Sequence, residues 1–203
     1  MRTYRTVNLN VLWFLIALCA AVFAIELAVG GYPIVDQYGY VVNYVVKFLG
    51  LERDLLAQHP WTIITAIFVH GGFAHIIFNM ISLYFLGSLF LRVKGEGSFL
   101  AVFFLGGLAG NALFLLLAAP NELGVGASGA IFAIGGALAV LVPRVPVYIF
   151  FIPIAMPLWL AIVIFLALSF LFAGIAWQAH LGGVLAGVIA GFLFRRKGQF
   201  HYF

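Results

Sequence analysis

Charge is what this chain has least of. Ten basic and six acidic side chains serve 203 residues, 8% of the total, against 66% hydrophobic residues and a mean hydropathy of +1.20. So little charge excludes a water-soluble globular protein, because most of the surface needs lipid as its solvent. Cysteine is nearly missing as well. Cys19 is the only one, which excludes an intrachain disulfide and a cysteine-held metal cluster. There is no His-Glu-x-x-His stretch, no internal repeat and no low-complexity tail, so neither a zinc protease nor a repeat array is indicated.

What the chain has instead is apolar stretches punctuated by charges or Gly/Pro clusters. They run about Leu9–Val29, Ala74–Leu91, Ser98–Ala118, Ser128–Val142, Ile154–Phe172 and Trp177–Phe194. Each is near the ~17–25 residues that a spanning helix needs. This reading predicts an all-α membrane protein of six helices and a single domain over residues 1–203. The first stretch is longer than a typical signal-peptide core and no small-x-small cleavage site follows it, so it reads as a retained anchor.

The basic residues give the orientation, since short cytoplasmic loops keep Lys and Arg. With the N-terminus inside, the inner segments hold Arg2, Arg5, Arg92, Lys94, Arg144, Arg195, Arg196 and Lys197, and the outer ones only Lys47 and Arg53. Both termini are therefore expected in the cytoplasm. The net charge of +4 describes contact with an anionic inner leaflet, and no basic and aromatic patch marks a nucleic-acid partner.

The one long connection, Gly30 to about Phe73, is expected on the outer face. Val41 to Leu49 surround Asn43 and Lys47 at i, i+4 spacing, which fits an interfacial helix with a narrow polar face, an ordinary structured loop being the other reading of the first half. Tyr32, Tyr38, Tyr40, Tyr44 and Trp61 suit the headgroup level.

Polar side chains within the bilayer are costly and therefore informative. Ser128 and His180 each lie fourteen residues before the last apolar position of their segments, Val142 and Phe194. At 1.5 Å per residue both sit roughly 21 Å up a core about 30 Å thick. The same arithmetic from Leu91 puts Asn79 at roughly 18 Å and His75 at roughly 24 Å. A layer of four polar groups in the outer half needs water from that side. Gly124-Val125-Gly126-Ala127 is loop-like, so the fourth helix is expected to begin at Ser128, inside the membrane. Its free N–H groups would face an oxyanion formed beside the serine. Gly183, Gly187 and Gly191, opposite Gly129, Ala133 and Ala137, predict a close crossing that brings the hydroxyl to the imidazole. No core carboxylate is available to orient His180, so the pair is read as a dyad. Asn111 reads as helix glue, Glu26 as a snorkelling or loop-bonded acid, and His59 and His201 as solvent-exposed.

These residues resemble the rhomboid intramembrane serine proteases. Gly126-Ala127-Ser128-Gly129 is similar to the family's Gly-x-Ser-Gly motif, and Ala179-His180-Leu181-Gly182-Gly183 followed by Gly187 to the motif around its base. His70-Gly71-Gly72-Phe73-Ala74-His75-Ile76-Ile77-Phe78-Asn79 is similar to its second-span signature. The resemblance covers roughly His70 to Phe194. It implies a six-transmembrane-helix rhomboid-like bundle, with a long outer first loop and a short fourth helix starting inside the membrane. It also implies Ser128 as nucleophile, His180 as base and then acid, and His75, Asn79 and the Ser128 N–H as oxyanion donors. Gly126, Gly129 and His70 are supporting residues, and Phe132 corresponds to an aromatic that packs on the imidazole. Two positions depart from the pattern. The common Trp-Arg pair reads Trp61-Thr62, which bears on loop anchoring, and no acidic residue occurs in Gly87–Val93, which bears on the inner rim.

The expected function is cleavage of transmembrane protein substrates near the outer side of the bilayer, without metal or cofactor. The preference implied by the family is a small residue before the cut and helix-weakening residues after it. A side entrance is expected at the fifth span, where Met156, Trp159, Phe165, Phe170 and Phe172 are bulky and Pro153 and Pro157 weaken the inner end. The rival readings are a non-catalytic helix-binding relative and a small transporter or channel. Against transport, Leu181–Phe194 and Gly129–Val142 carry no ionisable residue to continue a path.

Overall fold

The computed structural model describes residues 7–29, 34–35, 41–148, 154–172 and 174–195. Arg2, Arg5, Tyr32, Tyr38, Tyr40, Pro153, Arg196, Lys197 and His201 lie outside them. Apolar side chains leave the backbone no solvent partner, so each long apolar run satisfies its own N–H and C=O groups as a helix. The result is α1 (Asn10–Val29), the short α2 (Tyr44–Leu49) and α3 (Thr62–Thr65), then α4 (Phe73–Lys94), α5 (Glu96–Leu117), α6 (Ser128–Leu141), α7 (Leu158–Leu171) and α8 (Trp177–Phe194). Four of these, α1, α4, α5 and α8, are long and apolar enough to cross a membrane. α6 and α7 are apolar but have 14 residues each. Such helices rise only roughly 21 Å.

α6 is the core. Gly129, Ala130, Ile131, the run from Ala133 to Leu138, and Leu141 are all buried, among α4, α5, α7 and α8. Small residues make this possible. A Cβ on Gly183 would overlap the carbonyl oxygen of Gly129, one on Gly187 that of Ala133, and one on Gly191 would lie 2.9 Å from that of Ala137. A Cβ on Gly110 of α5 would likewise come within 2.6 Å of the Ala179 carbonyl. α6 and α8 thus touch backbone to backbone, as the two small-residue ladders predict. α1 packs on α4 and buries a stripe of Leu12, Leu15, Cys19, Phe23 and Glu26, the last bonded to the loop before α4.

Three short antiparallel pairs have no counterpart in the sequence reading. β1 (Ile34–Val35) pairs β2 (Val41–Val42), β3 (Leu51–Glu52) pairs β4 (Leu123–Gly124), and β5 (Pro146–Tyr148) pairs β6 (Ala155–Pro157). The first shortens the expected interfacial helix. Val41 and Val42 are extended, and Asn43 is the cap of α2, its Oδ1 accepting from the Val45 N–H at 2.8 Å. Lys47 pairs with Glu52 at 2.5 Å instead of lining a free polar face. The third pair delays the fifth apolar helix to Leu158. Met156 and Pro157 therefore belong to a paired strand, whose backbone bonding competes with helix over residues 155–157. The connection expected at Arg92–Gly97 shrinks to Gly95, whose φ of +80° lets α4 and α5 reverse around one residue.

Candidate active site

Ser128 opens α6 and His180 sits in the first turn of α8, and the two-helix seam fixes both backbones. Ser128 Oγ and His180 Nε2 are 2.8 Å apart. His180 is 8% exposed, and its Nδ1 has no hydrogen-bond partner among the described residues. The ring is held by stacking instead. Phe132, one turn after Ser128, lies with its centroid 4.3 Å away at 29°. For Nε2 to accept from the hydroxyl, the imidazole proton must be on Nδ1.

The start of α6 is set by Gly126, whose φ of +117° is open to glycine and strained for other residues. Its N–H donates to the Ala66 carbonyl at 2.8 Å, tying the approach to Ser128 into the long loop. β4 does the same by pairing with β3. Gly126 also leaves room. A Cβ there would lie 2.6 Å from His75 Nε2 and 3.7 Å from Ser128 Oγ, so both atoms border the space that its missing side chain leaves open. Gly129 packs its bare α-carbon toward the Ala179 carbonyl, one residue before His180.

His75 is partly buried in the first turn of α4. Its Nδ1 accepts from the Gly71 N–H at 3.4 Å, which puts the ring proton on Nε2, facing Gly126. Asn79 is buried, and its Nδ2 donates to the His75 carbonyl at 2.9 Å. One amide hydrogen is thus engaged within the helix. His70 is 1% exposed, lies edge-on to His75 at 5.2 Å, and donates from Nδ1 to the Phe68 carbonyl at 3.1 Å. Burial and the neighbouring His75 push its pKa down from 6.5 to about 4.

Several anchors were invisible in the sequence. Arg53 Nε donates to the Leu115 carbonyl at 2.6 Å, clamping the long loop to the end of α5. Thr62, at the position where the family pattern has arginine, is buried and donates to the His59 carbonyl at 2.7 Å, while Trp61 Nε1 donates to Phe48. The departure at Thr62 thus coexists with a loop tied down elsewhere. Gln178 donates to Glu122 at 3.4 Å, joining the start of α8 to the loop before Ser128. Asn111 reaches the Ile63 carbonyl in α3, gluing helix to loop. His59 is a correction: it is partly buried in a cluster with Phe48 and Trp61, each ring touching the other two, because these aromatic side chains of α2 and of the turn before α3 close over it. Glu26 is bonded to the loop and buried, not snorkelling. Among the described residues no group of three His, Cys, Asp or Glu side chains is placed to hold a metal.

The fold and site together define a multi-pass helical membrane protein in which a helix-start serine is hydrogen-bonded to a histidine from the helix packed against it. The chain belongs to the rhomboid family: residues 57–197 match the Rhomboid domain. It is 36% identical to RHOMBOID-like protein 5 of Arabidopsis thaliana, over 77% of this chain and 51% of that protein. It is 34% identical to the rhomboid protease GluP of Bacillus subtilis (strain 168), over 72% of this chain and 28% of that protein. With the putative rhomboid protease YdcA of the same bacterium it shares 30% identity, over 70% of this chain and 71% of that protein. The chain thus spans about half the length, or less, of the first two relatives.

Proposed function

We propose that this protein is an intramembrane serine endopeptidase that cleaves transmembrane segments of other proteins near the outer side of the bilayer. The observation that carries the proposal is the 2.8 Å hydrogen bond between Ser128 Oγ and His180 Nε2 at the start of α6. Within this reading all six apolar helices count as spans of one membrane domain, with both termini cytoplasmic. α6 and α7 are short for spans, but α6 is surrounded by protein, so its early start exposes no backbone to lipid.

Ser128 Oγ attacks the scissile carbonyl carbon as His180 Nε2 takes the hydroxyl proton. The resulting oxyanion is held by the Ser128 N–H at the helix start and the Nε2–H of His75, with the second amide hydrogen of Asn79 as a further donor. His180 then gives its proton to the leaving amine. Water attacks the ester with the same imidazole as base, and the second product leaves. Among the described residues nothing on Nδ1 shares the positive charge of the imidazolium; stacking on Phe132 holds the ring in place, and modest turnover is expected. An intact helix hides its carbonyls in i to i−4 bonds, so substrates are segments whose outer part unwinds, with a small residue before the cut and Gly, Pro or polar residues after it.

The test is cleavage of a fluorescent transmembrane substrate in liposomes by wild type, Ser128→Ala and His180→Ala. Loss in both variants with folding intact supports the dyad. Cleavage in all three overturns it, and binding without cleavage in any points to a helix-binding role.

A further inference from the structure

The buried acid at the end of α1 is not used by the reaction described above, yet it lies at the head of a chain of contacts that ends in the site. Glu26 is 3% exposed. Its Oε1 accepts the His70 N–H at 3.1 Å, across 44 residues of sequence. The next N–H along the backbone, that of Gly71, donates to His75 Nδ1. On the other side of Glu26, its own carbonyl accepts from Asn43 Nδ2 at 2.5 Å, and Asn43 caps α2.

We infer that Glu26 is a positioning residue for His75. A neutral imidazole can donate from Nε2 only while Nδ1 is kept as the acceptor, and among the described residues the backbone group doing so is the Gly71 N–H. Gly71 lies in the turn between Phe68 and α4, in the sequence Gly71-Gly72, where two residues without side chains give the backbone little stiffness of its own. The neighbouring peptide is fixed by Glu26. The Glu26 side chain therefore holds the turn, the turn holds the His75 tautomer, and the tautomer aims a proton at the space beside Ser128. A buried acid is expensive in this setting and is retained where it has such a partner. The inference rests on the serine-protease reading for its catalytic meaning, but not for its geometry.

The experiment reads the geometry and the chemistry separately. The imidazole of His75 is followed by nitrogen NMR of histidine-labelled protein in detergent micelles, in wild type, Glu26→Gln and Glu26→Met, with kcat and KM measured on the same samples. Wild type is expected as the Nε2–H tautomer. Glu26→Gln, which keeps an acceptor oxygen, is expected to preserve both tautomer and rate. Glu26→Met is expected to mix the tautomers and lower kcat about tenfold with KM unchanged, as a small misplacement of a reacting group does. In a His75→Ala background the same substitution should cost nothing further. An Nδ1–H tautomer in wild type overturns the inference even if Glu26→Met does not fold. So does an unchanged His75 spectrum in Glu26→Met, or an additive loss in the double variant. An inactive wild type with the expected spectra would instead remove the protease reading and leave the positioning intact.

Discussion

The seam between α6 and α8 and the surface of α7 solve opposite problems with the same apolar alphabet. In the seam, Gly183 and Gly187 press bare α-carbons onto the carbonyls of Gly129 and Ala133, and nothing larger fits. On α7, Trp159, Val163, Phe165, Phe170 and Leu171 are all exposed on the bundle surface, and the helix buries only Leu158, Ala161, Ile162 and Ser169. Backbone contact allows few alternative packings, whereas bulky side chains facing lipid can rearrange at little cost. One region holds two atoms 2.8 Å apart; the other presents large side chains that the described bundle leaves exposed.

The comparison breaks most completely at its centre. Ser128→Ala is expected to reduce cleavage at least about a thousandfold while thermal unfolding stays unchanged, since the smaller side chain leaves the seam intact. Next in size is a test of α7 as the side entrance. Leu86 and Ile162 both reach toward Gly135 from α4 and α7. Replacing them with cysteines and joining these by a short thiol crosslinker is expected to cut cleavage of a membrane substrate at least tenfold and leave a water-soluble peptide substrate nearly unaffected. Equal effects on both substrates would remove the entrance from α7. Packing sharpens the contrast further. Gly187→Ala is expected to destabilise by about 1–3 kcal/mol, while Phe165→Ala should stay within about 0.5 kcal/mol, both read from unfolding midpoints. Phe132→Leu keeps apolar bulk but loses the stacked ring, and a drop of a few fold in kcat is expected.

A separate effect concerns pH. His70 has its pKa lowered from 6.5 to about 4 by burial and by His75, so the unfolded chain binds this proton more readily than the folded one. The stabilisation is complete above pH 6.5 and is lost as the pH falls toward 4. His70→Gln should flatten the stability profile in that window.

How much of this was written in the sequence depends on the range of the interaction. The apolar runs were legible because each helix is continuous: Trp177–Phe194 was read with both ends correct, and Asn10–Val29 within one residue. α4 outruns its apolar stretch because Arg92 and Lys94, which resemble loop residues in sequence, suit a helix C-terminus, where Lys94 reaches over to the Phe194 carbonyl at 2.7 Å. The approach of Ser128 to His180 was foreshadowed by two small-residue ladders. The strands were not, because pairs of two or three residues carry no periodicity. Glu26 to His70 and Arg53 to Leu115 join a side chain to a backbone group, and a backbone group leaves no mark in the sequence.

The single-residue turn at Gly95 bears on how α4 and α5 can move. Two 22-residue apolar helices joined by one glycine leave no spare chain between them, so neither can slide along its axis without carrying the other, and Arg92 and Lys94 stay fixed at the turn.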